Sequence, residues 1–190
     1  MIAESKKIAA EYLSDPESVD PNLAQTAAAI AAENGDTAFF DALQHLYEAA
    51  NNPQTQEYAL RLLAVFRDPD LQRRSLEYAV SGKVRNQDAI FQLLLPMRDP
   101  ATRAIAWDFM QQNWDKVQAQ ITTAMGPYLI SGAGTFCSED KKQEMVDFFA
   151  KHPIPASDVS LQRAKDAIDD CIQLRTNQGP KLDQWIAGQR

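Results

Sequence analysis

Apolar positions recur along this 190-residue chain at helical spacing. Leu23, Ala27, Ile30 and Ala31 fall at i, i+4, i+7 and i+8. Ala59, Leu62, Leu63 and Phe66 fall at i, i+3, i+4 and i+7, and Leu161, Ala164, Ile168, Cys171 and Ile172 extend one stripe over three turns. This spacing gathers apolar side chains on one face of an amphipathic helix. Trp107, Met110 and Trp114, at i, i+3 and i+7, form an aromatic stripe of the same kind. They are expected in the core together with Phe109, Phe148, Phe149 and Trp185. No clear stretch alternates with the period of two that marks a strand.

The polar punctuation divides these stripes. Asp-Pro occurs at 15–16, 20–21, 68–69 and 99–100. An aspartate caps the free N–H groups of a first turn, and proline loses nothing at the first helical position. Ser138-Glu139-Asp140 and Asp36-Thr37 are further starts. Breaks are expected near Gly35, Asn51-Asn52-Pro53, Ser81-Gly82, Gly126-Pro127, Gly132 to Gly134, His152 to Pro155 and Gly179-Pro180. Asn113 is expected to end one helix and cap the next. The signals predict an all-α chain of about ten to twelve helices joined by short connections, which stack as antiparallel pairs. Arg67-Asp68-Pro69 returns as Arg98-Asp99-Pro100, a loose repeat suggesting a solenoid of helix pairs; a globular bundle is the other reading. No internal boundary is visible, so residues 1–190 read as a single domain.

Charge changes the picture in one place. The chain carries a formal net charge of −7, which disfavours a nucleic-acid partner. Residues 67–103 are the exception. Arg67, Arg73, Arg74, Lys83, Arg85, Arg98 and Arg103 outnumber Asp68, Asp70, Glu77, Asp88 and Asp99 there, giving +2 against −9 for the remainder. Ser81-Gly82 reads as a helix stop, with glycine able to take the left-handed conformation, and Asn86 or Gln87-Asp88 as the next start. The intervening turn carries Lys83 and Arg85. Lys83, Arg85, Gln87 and Arg103 are therefore the candidates for holding a peptide, the guanidinium groups through paired hydrogen bonds to a carboxylate.

Other chemistry is sparse. His45 and His152 are the only histidines, and neither sits in a His-Glu-x-x-His pattern. Cys137 and Cys171 are too few for a disulfide framework, which favours a reducing compartment, and Cys171 on its apolar stripe reads as a core residue. Asp169-Asp170 points its carboxylates about 100° apart on a helix, as a solvated face does. No glycine-rich phosphate loop or Gly-x-Ser-x-Gly elbow is present. No run approaches the roughly 20 apolar residues of a membrane helix, and MIAESKKIAAEYLSD has no apolar signal-peptide core. A soluble, cytoplasmic protein without a membrane partner, catalytic set or metal site of its own is expected.

From residue 67 onward the motifs become specific in combination. They run Ser81-Gly82 with Gln87-Asp88, Asp99-Pro100 with Arg103, Ala106-Trp107-x-Phe109 and Asn113-Trp114. Ser131-Gly132, Phe136-Cys137-Ser138, Glu144-Met145, Phe148-Phe149 and Trp185 follow. This ordered set, over roughly residues 55–187, resembles the C-terminal domain of the zinc aminopeptidases related to the puromycin-sensitive and endoplasmic-reticulum aminopeptidases. Cys137 and Asp99 depart from that pattern, where a small hydroxyl residue and asparagine are usual. The resemblance implies a curved α-solenoid of HEAT-like helix pairs that covers a catalytic domain in the same parent chain and encloses a peptide-holding cavity. It also implies that the zinc and its ligands lie in that catalytic domain. A stand-alone helical-repeat module binding a protein partner is the alternative.

Overall fold

The computed structural model describes residues 1–15 and 18–189. Among them are eleven α-helices, one 3-10 turn and no strand. The helices are α1 Ile2–Ser14, α2 Pro21–Glu33, α3 Thr37–Ala49, α4 Pro53–Leu63, α5 Pro69–Ala79, α6 Asn86–Arg98, α7 Arg103–Gln112, α8 Trp114–Gln120, α9 Gly126–Ala133, α10 Glu139–Lys151 and α11 Asp158–Ala187. None is long and apolar enough to cross a membrane. Side-chain capping accounts for five of the eleven starts among the described residues. Asp20 Oδ1 accepts from the Asn22 and Leu23 amides, Asp36 Oδ1 from Phe39 and Asp68 Oδ1 from Asp70 and Leu71. Pro21 and Pro69 occupy first helical positions, where no amide is needed.

Some boundaries differ from the sequence reading. The Asp-Pro start at 15–16 includes Pro16, which lies outside the described residues. Asp99-Pro100 opens a turn rather than a helix: Asp99 ends α6, its Oδ1 accepts from the Ala101 amide, and α7 begins only at Arg103. Asn113 ends α7 but turns its amide back to the Phe109 carbonyl at 3.0 Å, so its side chain does not cap α8.

The helices fall into two compact units, Met1–Ile121 and Thr122–Arg190. In the first, α1 packs on α2, α3 on α4 and α5 on α6, while α2, α4 and α6 meet in succession as one layer. The buried face of α2 is Ala24, Ala27, Ala28, Ala31 and Ala32, and such small side chains let neighbouring backbones approach closely. Bulk is supplied further on by Phe40, Leu43, Leu60, Leu63 and Phe66, with the Phe40 and Phe66 rings meeting edge-on at 5.1 Å. Trp107 and Met110 are fully buried, and Phe109 and Trp114 nearly so.

The second unit packs α9 and α10 against α11. Its interior holds Leu129, Ile130, Ala133, Met145, Phe148, Phe149, Ala164 and Ile168. A Cβ at Gly134 would lie 2.9 Å from the Ala164 Cα, so only glycine lets this turn rest on the α11 backbone. Beside it, Cys137 and Cys171 form a disulfide with Cα atoms 5.4 Å apart. This corrects the reading of the two cysteines as separate reduced thiols. The residues are 34 apart in sequence, and only the packing of the α9–α10 connection on α11 makes them neighbours.

α11 supplies two further corrections. It runs through Gly179 and Pro180, where a break was expected. Together these residues cost a helix interior about 4 kcal/mol relative to alanine. Trp185, expected in the core, is 63% exposed, because the described part of α11 beyond Ile172 has no helix packed over it.

Closing a loop of this size lowers the entropy of the unfolded chain. Reducing the Cys137–Cys171 bond, or replacing both residues by serine, is expected to destabilise the second unit by about 3–4 kcal/mol. Urea unfolding of the oxidised and reduced forms measures this. A difference below about 1 kcal/mol would mean the reduced chain keeps the loop closed by packing alone.

Candidate functional site

The turn between α5 and α6 is built from its backbone outward. Gly82 has φ +81°, a left-handed conformation that glycine adopts without strain. The Ser81 hydroxyl donates to the Tyr78 carbonyl at 2.7 Å and accepts from the Lys83 amide at 3.3 Å. Val84 turns inward and is buried, and its carbonyl accepts from the Gln120 side chain of α8 at 2.6 Å. With Val84 pinned, Lys83 and Arg85 on either side of it project outward, and both are exposed.

Those two side chains line an open concavity of about 500 Å³ with Tyr47, Glu48, Gln56 and Tyr78. α3 provides Tyr47 and Glu48, α4 provides Gln56 and α5 provides Tyr78. The Tyr47 and Tyr78 rings meet edge-on at 6.0 Å. The Tyr78 hydroxyl donates to Glu48 Oε1 at 3.0 Å, and Gln44 Nε2 donates to the same oxygen at 3.1 Å. Gln44 is itself fixed by Arg74, which donates to its Oε1 at 2.8 Å, pairs with Asp41 at 2.6 Å and lies over the Phe40 ring. A chain of polar contacts thus runs from Arg74 through Gln44 and Glu48 to Tyr78.

The electrostatics follow from these contacts. The amide of Gln44 and then the hydroxyl of Tyr78 hold the Glu48 carboxyl below its ordinary range, with Lys83 and His45 assisting. Burial pushes the Tyr78 phenol up, and the Glu48 carboxylate pushes it further. Burial also raises Tyr47, partly offset by a hydrogen bond from the Arg85 backbone. The two cations differ sharply. Arg85 Nε binds Asp88 Oδ2 at 2.6 Å; the arginine side chain is 48% exposed and the carboxylate only 7%. Lys83 forms no direct ion pair among the described residues and is the cation left facing the concavity.

The remaining candidates stand apart from this cluster. Gln87 is exposed on the first turn of α6. Arg103 begins α7 beside Asp99. Asp99 binds not its neighbour Arg98 but Arg67, at 3.0 Å. Tyr47, Glu48, Gln56 and Tyr78 were not identified from sequence. The signal available was slight: Tyr47-Glu48 and Tyr78 fall near helix ends, about 30 residues apart, as Arg67 and Arg98 do. Among the described residues no three His, Cys, Asp or Glu side chains converge as metal ligands. His45 is exposed, and His152 ends α10 with its ring 4.6 Å from that of Phe148.

Comparison with known proteins gives a consistent family. The model of the ERAP1-like C-terminal domain matches residues 1–170, including the first 50 residues, which carried no specific motif. Aminopeptidase 2 of Candida albicans is 22% identical over 97% of this chain and 21% of its own length. Aminopeptidase M1-D of Oryza sativa subsp. japonica is 27% identical over 68% of this chain and 15% of its own. The mitochondrial Aminopeptidase 2 of Saccharomyces cerevisiae is 30% identical over 60% and 12%. The chain therefore spans about a fifth or less of the length of these relatives.

Two outcomes are expected of this geometry. Arg85→Ala strips the buried Asp88 carboxylate of its partner and should destabilise the first unit by about 1–3 kcal/mol, measured by urea unfolding. An unchanged midpoint would show that the Arg85–Asp88 pair contributes nothing measurable to the stability of the first unit. Glu48 should titrate below the ordinary glutamate value in the folded chain by NMR. Because its folded value is depressed, its contribution to stability is complete above the unfolded value and fades as the pH falls through the folded one. Tyr78→Phe should move the Glu48 midpoint upward; an unmoved midpoint would remove the hydroxyl from the account.

Proposed function

The chain belongs to the ERAP1-like C-terminal domain family, and on that premise we propose that it is the non-catalytic helical module of a zinc aminopeptidase. In this reading it covers the active-site cavity of a catalytic domain in the same parent polypeptide and helps to hold the peptide being shortened. The zinc and the exopeptidase residues belong to that catalytic domain. The single observation that carries the peptide-holding role is Lys83, a cation with no direct ion pair among the described residues, on the wall of a concavity that two tyrosine rings also line.

The division of labour follows from the contacts. Lys83 attracts the carboxylate of a peptide C-terminus, since an ammonium held beside low-dielectric walls focuses its field into the concavity. Tyr47 and Tyr78, both buried and packed edge-on, floor the concavity and give the residues before that carboxylate a small, rigid apolar surface. Arg85, paired with Asp88, shapes the turn and adds little free charge. Gln87 and Arg103 remain as outlying contacts for a longer peptide. The Cys137–Cys171 bond is one that oxidising compartments preserve and reducing ones open. The cytoplasmic placement expected from the sequence therefore goes with an open bond.

Exposed ion pairs are worth about 0–1 kcal/mol and are screened by salt. Lys83→Ala, made in the parent aminopeptidase, should raise KM by about two- to fivefold for peptides with a free C-terminus. KM for the same peptides amidated, and for a short chromogenic aminoacyl substrate, should stay within error. The difference should shrink at high salt. Equal responses of all three substrates would remove Lys83 from peptide holding.

A further inference from the structure

The last 17 described residues, 173–189, form a helical extension with an unused apolar face. Leu174, Leu182, Trp185 and Ile186 are 64, 55, 63 and 43% exposed. At 100° per residue they fall within an arc of about 120°, so they make one stripe and not four scattered residues. Arg175 and Lys181 accompany the stripe against a single acid, Asp183, which makes this segment locally positive in an acidic chain.

A second observation bears on the same segment. Gly179 and Pro180 stand in the middle of this solvent-facing stretch, yet the helix continues through them to Ala187. Proline removes the amide that would bind the Thr176 carbonyl and crowds the preceding turn, and glycine adds backbone freedom to be lost. A helix extension with this interruption, exposed along nearly its whole length, is a poor helix in water, because most helical stability in proteins comes from packing an apolar face. Sequence and structure agree only when something covers the stripe.

We infer that residues 174–186 are a docking helix whose occupant is the catalytic portion of the same parent polypeptide, through an apolar groove with an acidic rim. Size decides between this partner and a second copy. Covering the four side chains removes on the order of 400 Å² from water, about half of the ~800 Å² per partner that a stable association of separate chains uses. A patch of this size suffices when both sides share one polypeptide, since tethering raises the effective concentration to about the millimolar range. The relatives supply the setting: the chain matches only about a fifth or less of their lengths, so most of such a polypeptide lies outside it. The inference rests on the accessory-module reading. It adds residues other than those of the concavity, on the part of α11 beyond residue 170, which the family match does not reach.

Trp185 reports on it directly, because Trp107 and Trp114 are buried. The difference in acrylamide quenching between the unaltered protein and Trp185→Phe isolates its signal. In this chain alone, at concentrations where sedimentation shows a monomer, Trp185 should quench as a solvent-exposed indole does. In the parent polypeptide its quenching constant should fall at least about threefold, and Leu182→Asp should restore it. Equal quenching in both settings overturns the inference. So does shielding that already exists in the monomeric chain, or shielding that rises with concentration as a dimer forms. The KM test of Lys83 does not involve this helix. A failed KM test with Trp185 shielded removes the peptide role alone, and an exposed Trp185 with the KM effect intact removes the docking helix alone.

Discussion

Stacked helix pairs bury the ends of their inner helices, and the carbonyls left there must find donors or lose more than the packing gains. Buried glutamine amides meet this constraint in the first unit. Gln92 of α6 donates to the Leu60 carbonyl at 3.1 Å, in the last turn of α4. Gln72 of α5, with its nitrogen turned toward the acceptors, reaches the Phe66 and Ala64 carbonyls at 2.7 and 3.3 Å. Gln120 of α8 reaches the Val84 carbonyl. Each amide comes from an element later in the chain than the carbonyl it serves, so successive helices are held in register by polar contacts as well as by apolar fit. The projection of Lys83 and Arg85 depends on the last of them.

A parallel device works at the surface. Arg67, in the connection after α4, binds Glu33 at the end of α2 at 3.2 Å and Asp99 at the end of α6 at 3.0 Å. Burial alone would raise the Asp99 carboxyl, but the Ala101 amide and the Arg67 guanidinium outweigh it and hold the group below its ordinary range. Arg67 is half exposed, so its energetic share is small. Its position is informative all the same, because one residue touches the ends of three successive members of the inner layer. In the second unit the corresponding link is covalent, through Cys137 and Cys171, with Lys142 of α10 also paired to Asp169 of α11.

The cationic stretch looks different once its partners are known. Seven cations between residues 67 and 103 suggested a positive face. In the structure Arg67, Arg73, Arg74 and Arg85 are all committed to carboxylates. The excess charge read along the chain is thus largely neutralised in space, some of it by Asp41 and Glu33, which lie outside the stretch. What remains at the concavity is Lys83 together with the Glu48 carboxylate, which Gln44 and Tyr78 hold below its ordinary range.

The sequence by itself determined what is local or ordered along the chain. Helical period, the aspartate and serine caps at 20, 36, 68 and 138, the left-handed Gly82 and the inward faces of Trp107 and Phe149 depend on residues within a turn or two. The ordered motifs carried the family. Only the tertiary structure decided which distant residues meet. Tyr47, Glu48 and Tyr78 join Lys83 because α3 and α5 are brought to the same side of the stack. Cys137 finds Cys171 because the turn at Gly134 lies on the α11 backbone. The same limit explains the errors at Gly179-Pro180 and Trp185. A glycine–proline pair encodes a preference against helix and an amphipathic stripe a preference for burial, but neither specifies the surface that settles the outcome, and that surface is a matter of packing beyond the segment itself.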